Sequence, residues 1–148
     1  MDYAALDIVY TSEYYNKNVI IYERSKKHMN IEIWEESPGK SPVGRAIQEL
    51  DNLSKARLLK KLKYIEENTE QSLRKVGLLG KVAGAANKVH ELRIGLVNKI
   101  CRIYCIQLMG MWYLLHLVIK KSPKLFVRDI KLAEIRADKL FKNKSNEN

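Results

Sequence analysis

Residues 88–124 read KVHELRIGLVNKICRIYCIQLMGMWYLLHLVIKKSPK and are the most apolar part of the chain that also has a regular pattern. This stretch contains three apolar runs, at 89–94, 100–108 and 112–119, separated by short breaks. Runs of this length that are rich in Val, Ile, Leu and Tyr are typical of strands, and the break at Met109-Gly110 suits a tight turn. We therefore predict a meander of three antiparallel strands that is buried on at least one face.

A transmembrane helix over residues 101–119 is the alternative for part of this stretch. Such a helix needs ~20 largely apolar residues. The segment contains Arg102, Gln107, Gly110 and His116, and polar or charged groups of this kind are costly inside a bilayer. The strands are therefore favoured, and no membrane partner is expected.

The flanking segments predict helices and one further strand. Residues 30–35 alternate between apolar and polar, which indicates a strand. Ser41 is a suitable N-cap because Pro42 follows at the first helical position, and Ser54 is predicted to cap a second helix. A last helix carries an apolar stripe at helical spacing. The stripe consists of Phe126, Ile130, Ala133, Ala137 and Leu140.

This order of elements predicts an α+β domain. We expect an antiparallel sheet of three to five strands, packed against two N-terminal helices and a C-terminal helix. Gly77, Gly80 and Gly84 predict a loose connection, because their spacing matches no phosphate-binding loop and no strand precedes them. Residues 1–28 are predicted to be an N-terminal extension, 29–142 the domain, and 143–148 a disordered tail.

The positive charge of the chain is concentrated in the strand region. The net charge is +10 in all, and residues 88–124 contain seven Lys and Arg residues against one Glu, or +6. The seven cations are Lys88, Arg93, Lys99, Arg102, Lys120, Lys121 and Lys124. A local field of one sign attracts polyanions, which are either nucleic acid or an acidic protein surface.

Cys101 and Cys105 lie four residues apart in one apolar run. We expect two small buried residues rather than a disulfide, because residues at this spacing in a strand are too far apart to bridge easily. The start of the chain has no signal-peptide pattern, so a reducing cytoplasm is the expected location.

Arg93 and Arg102 are predicted to face each other across two strands if the turn between them covers residues 96–99. Like charges in such a pair are unfavourable, so the pair needs a shared anion. The carboxylate of Glu91 would make the role of the pair structural. A bound phosphate would make it functional, since phosphate oxygens suit the guanidinium fork. We favour phosphate binding.

His116 lies in the apolar run 112–119, where a single histidine is usually a core or rim residue. Its neighbours favour proton transfer instead, because Lys120 and Lys121 follow on the same strand and the arginine pair lies nearby. Imidazole titrates near neutral pH, and the cations should lower its pKa and favour the neutral, base-competent form. No spacing of Cys, His and carboxylates indicates a metal site, and no cofactor is expected.

Residues 31 to about 142, roughly three quarters of the chain, resemble the phage-derived, HigB-like branch of the RelE toxin superfamily. The order and spacing of the shared motifs are more specific than any one motif. The motifs are Gly39-Lys-Ser-Pro-Val43, Glu91-Leu-Arg-Ile94, Cys101-Arg-Ile-Tyr104, Leu114-Leu-His116 and Lys120-Lys-Ser122. Two positions depart from the family pattern: Val118 stands where Phe is usual, and Gly44-Arg45 replace an acidic pair.

The resemblance implies a compact RelE-like fold, a helix-turn-helix antitoxin as partner, and endoribonuclease activity on mRNA, commonly on the ribosome. Our hypothesis is metal-independent attack of a ribose 2′-OH on the adjacent phosphodiester, which would inhibit translation. Arg93 and Arg102 would hold the phosphate, and His116 would transfer the proton. Lys120 and Lys121 would orient the RNA backbone. Further RNA-binding candidates are Lys88, Lys99, Lys124 and Tyr104, the last also a second candidate for proton transfer.

Three other functions stay open. A basic protein that binds RNA or the ribosome without cleavage needs only phosphate contacts, and its binding would fall steeply with salt. An inactive toxin relative that is held by its antitoxin is the second, and Val118 and the N-terminal extension point to it. A membrane-disrupting peptide is the least favoured, because the basic residues do not form one amphipathic helix face.

Overall fold

The structure, a computed structural model, describes residues 28–86, 88–121, 124 and 126–146. The predicted extension thus lies outside the described residues except for His28. The strands are β1 (Asn30–Ile33), β2 (Leu79–Lys81), β3 (His90–Leu96), β4 (Lys99–Leu108) and β5 (Met111–Lys120). The helices are α1 (Pro42–Gln48), α2 (Asn52–Glu66), α3 (Glu70–Lys75) and α4 (Val127–Asn146).

The five strands form one mixed sheet in the order β1-β5-β4-β3-β2. The α+β class is confirmed, and β3, β4 and β5 are antiparallel as predicted. β2, which was not predicted, is antiparallel to β3 as well. β1 differs, because it runs parallel to β5. Hairpin turns force neighbouring strands to be antiparallel. The three helices that follow β1 carry the chain across the sheet, so no hairpin constrains its direction.

Two tight turns set the register of the central strands. Residues 97–98 join β3 to β4, and Met109-Gly110 joins β4 to β5 with φ angles of 54° and 81°. Positive φ at both central residues is typical of the type I′ hairpin turn, whose twist matches that of the strands. The first turn places Arg93 directly opposite Arg102, as predicted.

The sheet separates two hydrophobic cores. On one side, Leu58 of α2 and Leu73 of α3 are fully buried against the strands. On the other side, Ala133 and Ala137 of α4 are buried in a second core. We call this second side of the sheet the α4 face, since α4 is the one described helix that packs on it.

The two cysteines belong to the core on the side of α2. Both are buried free thiols, as expected. Burial raises the pKa of the Cys101 thiol to about 12, and it also raises the pKa of Cys105. They are therefore protonated packing residues.

The second helix begins earlier than predicted. Its N-cap is Asp51 rather than Ser54: the Asp51 carboxylate accepts hydrogen bonds from the Ser54 N–H at 2.8 Å and from the Ser54 hydroxyl at 2.9 Å. Asp and Ser are comparable N-caps, so sequence preference does not separate them. The cap predicted at Ser41 is confirmed, because its hydroxyl oxygen accepts from the Gly44 N–H at 3.0 Å.

The glycine-containing connection is more regular than predicted, since it contains α3 and β2. Thr69 caps α3 through its side-chain oxygen. Gly80 lies in β2 against the side chain of Arg93, and an added Cβ there would lie 3.1 Å from Nη2 of that arginine. Three helices rather than two therefore precede the central strands. Elements of 6 and 3 residues are too short to show a period in the sequence.

The C-terminal helix continues to Asn146, so residues 143–146 are helical where the sequence predicts a disordered tail. Lys144 lies on this last turn, with Nζ 5.7 Å from the centroid of the Tyr113 ring, a cation–π contact with the sheet. Within the described part of the chain, no helix combines the length and apolar character needed to cross a bilayer.

Leu58 and Leu59 provide a matched test of how α2 packs. Leu58 is fully buried, whereas Leu59 is 49% exposed. We expect Leu58→Ala to lower the free energy of unfolding by about 2–5 kcal/mol, because it leaves a cavity in the core. Leu59→Ala should change it by about 0.5 kcal/mol or less. Urea unfolding measures both values, and equal losses would contradict this orientation of α2.

Candidate functional site

Five of the predicted site residues lie together on the α4 face. They are Arg93, Arg102, Tyr104, His116 and Lys120. Strand pairing arranges this face in two adjacent rows, Glu91–Tyr104–His116 and Arg93–Arg102–Val118. Val118, which stands at a position where the resembled family has Phe, therefore lies beside the arginine pair.

His116 reaches the α4 face because of a bulge in β5. Tyr104 pairs with His116, but the next residue, Cys105, pairs with Leu114, which leaves Leu115 without a partner in β4. Strict alternation from Leu114 would turn His116 toward the opposite core. The bulge instead aims both Leu115 and His116 at α4, as bulges beside functional sites often do.

A buried carboxylate holds the arginine pair together. Both oxygens of Glu91 accept hydrogen bonds from Nη1 of Arg102, at 2.9 and 2.8 Å, and Oε1 accepts a further one from Nε of Arg93 at 2.7 Å. Glu91 is therefore the shared anion of the arginine pair, which was the structural alternative to a bound phosphate. The side chain of Arg102 is 7% exposed and that of Arg93 is 47% exposed. Arg102 is thus an internal partner of Glu91, and Arg93 is the arginine of the pair that faces solvent.

Both nitrogens of His116 are held by residues of α4. Nε2 lies 3.0 Å from Oδ1 of Asp129, and Nδ1 lies 3.3 Å from Nη1 of Arg136. Arginine can only donate, so Nδ1 is the acceptor and Nε2 carries the proton that is donated to Asp129. The same Nη1 donates to the carbonyl oxygen of Leu115, the bulged residue, at 2.8 Å. The contacts thus select the neutral imidazole with its proton on Nε2.

Burial lowers the pKa of His116 below its ordinary value of 6.5, and the charges of Arg136 and Lys120 lower it further. The hydrogen bond and negative charge of Asp129 act in the opposite direction without outweighing these effects. Among the cations that the sequence predicted to lower this pKa, Lys120 has this effect, and burial is the largest cause. Burial would raise the pKa of Asp129, yet hydrogen bonds from His116 and Lys120 keep it below its ordinary value. At neutral pH the pair is therefore a neutral imidazole on a carboxylate.

Lys120 completes the cluster from the end of β5. Its Nζ lies 3.1 Å from Oδ2 of Asp129, 3.3 Å from the carbonyl oxygen of Lys124, and 3.6 Å from the centroid of the Phe126 ring. The residue is buried, with an aromatic face on its ammonium group. Its charge thus acts inside the cluster rather than on the open surface.

The other predicted cations lie apart from this cluster. Lys99 is on the side of the sheet covered by α2, where its Nζ pairs with Asp51 at 3.2 Å. Lys88 is exposed in the loop before β3 with a φ of 55°. Lys121 and Lys124 are exposed beyond the end of β5. Lys99 is thereby separated from any ligand on the α4 face. Lys121 and Lys124 remain accessible at the end of the α4 face where β5 ends.

Tyr104 is completely buried, which corrects its expected contact with RNA. Its ring stacks on the imidazole of His116 with centroids 5.9 Å apart and planes at 13°. Burial raises the pKa of the hydroxyl to about 12, and the charges of Glu91 and Asp129 add to this. A hydroxyl with this pKa stays protonated at neutral pH. Tyr104 therefore supports the imidazole as a packing residue.

Asp129 and Arg136 are the two residues of the cluster that the sequence did not identify. Asp129 lies four residues before Ala133 and Arg136 lies three residues after it, so both fall beside the apolar stripe of α4. A polar side chain on the face of a helix that packs on a sheet must find a partner there. The position of these two polar residues beside the apolar stripe was therefore the sequence signal that could have identified them.

The cluster is built from ion pairs rather than as a metal centre. Across residues 28–86, 88–121, 124 and 126–146, no group of three or more His, Cys, Asp and Glu side chains is placed to hold a metal ion. Each carboxylate of the cluster is bound by two side chains of the protein: Glu91 by two arginines, and Asp129 by His116 and Lys120.

The sequence of the chain matches the model of one protein family. The model described as phage derived protein Gp49-like (DUF891) matches residues 45–138, which is more than half of the chain. The matched range includes every residue of the cluster, from Glu91 on β3 to Arg136 on α4. No curated protein and no solved structure matches the chain significantly.

Glu91→Gln tests whether this buried carboxylate neutralises Arg102. Removing one partner of a buried ion pair leaves the other charge uncompensated, so we expect a loss of about 3–5 kcal/mol in the free energy of unfolding. Arg93→Ala removes the half-exposed partner and leaves the buried pair intact, so its cost should be about 1 kcal/mol or less. Similar small losses in urea unfolding of the two variants would show that Arg102 does not depend on Glu91.

Two variants should move the pKa of His116 in opposite directions. Asp129→Asn removes the negative charge that raises it, so the pKa falls further, and Arg136→Met removes a positive charge that lowers it, so the pKa rises. NMR titration of the imidazole signals measures both shifts. His90, on the other side of the sheet against Trp112, is an internal reference. Shifts of the same sign in the two variants would contradict the observed contacts.

Proposed function

The chain belongs to the phage-derived Gp49-like family (DUF891), and from that membership we propose that it is the toxin of a toxin–antitoxin module and cleaves mRNA. The family comprises RelE/HigB-like toxin-type proteins, and membership is consistent with a toxin that pairs with an antitoxin. We further propose that it belongs to the HigB-like branch, pairs with a helix-turn-helix antitoxin, and cleaves mRNA on the ribosome in the cytoplasm.

The observation that carries the proposal is a solvent-facing arginine and a neutral imidazole on one face of the sheet. Arg93 on β3 and His116 on β5 lie on either side of β4, two strand spacings or about 10 Å apart across the sheet, and in adjacent rows along it. The guanidinium of Arg93 lies on a long flexible side chain, so a phosphodiester bound to it can extend toward the imidazole. Glu91 and Arg102 lie between them as a buried, neutralised pair that does not compete with the RNA for space.

The proposed reaction is an in-line attack by the ribose 2′-oxygen on the adjacent phosphorus. The O2′–P bond forms and the P–O5′ bond breaks, which gives a 2′,3′-cyclic phosphate and a 5′-hydroxyl. The contact between Arg136 and Nδ1 of His116 opens first, and Nδ1 then accepts the proton of the 2′-OH. Asp129 stabilises the imidazolium that forms. Arg93 offsets the growing charge on the phosphate oxygens, and water protonates the leaving 5′-oxygen. Lys121 binds the backbone at the open end of β5.

A second candidate function is RNA binding without cleavage. The observation in its favour is that Arg136 and Asp129 occupy both nitrogens of His116, so the imidazole has no lone pair open to a substrate in this arrangement. Binding would then depend on Arg93 and the exposed lysines alone, and it would fall steeply with salt.

Incubation with a defined mRNA in a translation extract separates the two functions. We expect the wild-type protein to produce discrete cleavage products. His116→Ala should slow cleavage by about 10²–10⁴-fold, because positioned proton transfer is lost. Arg93→Ala should slow it by about 10²-fold, because a charge-stabilising donor is lost. Arg57→Ala is the matched control, since it removes an exposed arginine from α2 on the other side of the sheet.

The outcome that contradicts cleavage is an intact mRNA with retained RNA binding in the same extract, which would favour the second function. Near-wild-type cleavage by His116→Ala would remove the imidazole from the reaction. Arg102→Ala is unsuitable for this test, because it would leave the buried carboxylate of Glu91 without its main partner and lower the stability of the fold.

A further inference from the structure

A cavity of about 320 Å³ lies on the far side of α4 from Arg93, and the function proposed above does not account for it. It is formed where the loop after β1 and the start of α1 meet the middle of α4. The residues that line it are Glu36, Lys40, Ser41, Pro42, Arg45 and Arg136. Three of the six are cations.

The cavity has an excess of positive charge. Among its lining residues Glu36 alone is acidic, and Nζ of Lys139 already binds its carboxylate at 2.7 Å. The side chains of Lys40 and Arg45 make no ion pair within the described residues, and both are exposed. Two guanidinium groups and an ammonium group around one space are suited to the oxygens of a phosphate, which guanidinium forks bind in a bidentate manner.

Arg136 connects this cavity to the imidazole of the candidate site. It lines the cavity, and its Nη1 contacts Nδ1 of His116 at 3.3 Å and the carbonyl oxygen of Leu115 at 2.8 Å. An anion in the cavity attracts this guanidinium and so competes with His116 for it. Nδ1 is the nitrogen that has to be released before it can accept a proton. Occupancy of the cavity and availability of the base are therefore linked through one side chain.

We propose that this cavity is a phosphate-binding subsite for the RNA backbone, filled by a phosphate that is not the one cleaved, and that its occupancy draws Arg136 away from Nδ1 of His116. The inference rests on the proposed function for the identity of the ligand as RNA. The binding of a phosphate group at Lys40, Arg45 and Arg136 can be tested without any cleavage.

The first test is titration with inorganic phosphate, observed through the imidazole ¹⁵N signals. The chain has three histidines, so the signals are few. We expect the signal of Nδ1 of His116 to shift with a saturable dependence on phosphate while the signals of His90 stay in place. The shift should be lost in Lys40→Ala/Arg45→Ala and kept in Arg57→Ala/Lys60→Ala, the matched removal of an arginine and a lysine from α2. An unmoved His116 signal, or an equal shift in both double variants, would overturn the subsite.

The second test is binding of a 2′-O-methyl oligonucleotide, which cannot be cleaved by attack of a 2′-hydroxyl. Fluorescence anisotropy at several salt concentrations should show about tenfold weaker binding by Lys40→Ala/Arg45→Ala than by the control pair. The slope of log affinity against log salt should fall by about one for each phosphate-contacting cation removed. Equal affinities and slopes in the two double variants would overturn the assignment of RNA as the ligand.

The two tests fail separately from the cleavage assay. Phosphate binding and RNA binding at the cavity, with the mRNA left intact by the wild type, would overturn the proposed reaction and leave the subsite standing. Cleavage of mRNA by the wild type, with no response of His116 to phosphate, would support the proposed function and overturn the subsite.

Discussion

The register of β3, β4 and β5 is the constraint on which the candidate site depends. Side chains alternate between the two faces of a strand, so one register puts a given set of residues together and a slip by one position disperses them. Two short turns set the register, and the bulge at Leu115 changes it halfway along β5. Without the bulge His116 would lie on the side of the sheet that α2 covers. The bulge places it on the α4 face, together with the residues of β3 and β4 that lie there.

Burying an unpaired charge is unfavourable, and in this site two carboxylates neutralise the buried cations. Glu91 lies between Arg93 and Arg102, and Asp129 lies between His116 and Lys120. Each carboxylate allows like-charged or polar groups to stand close together without mutual repulsion. The site is thereby preorganised, since its cations are held in place before any ligand binds.

The C-terminal helix gives this site its chemical asymmetry. Asp129 and Arg136 are two helical turns apart on α4 and contact opposite nitrogens of one imidazole. The carboxylate fixes the proton on Nε2, and the guanidinium covers the lone pair of Nδ1. Arg93 on the open side of the helix and the cationic cavity on its other side then lie on either side of the imidazole. An RNA strand that contacts both Arg93 and the cavity would therefore run past His116, the proposed general base.

The α+β class, the three central strands, the opposition of Arg93 and Arg102, and the grouping of His116 with Lys120 could be predicted from the sequence. These follow from local preferences and from alternation along one strand, which are properties of neighbouring residues. The parallel direction of β1, the short elements α3 and β2, and the bulge depend on contacts between distant segments. The same holds for the burial of Arg102 and Tyr104 and for the recruitment of Asp129 and Arg136. None of these features could be predicted from the sequence, because the cost of burying a charge depends on which groups the fold brings beside it.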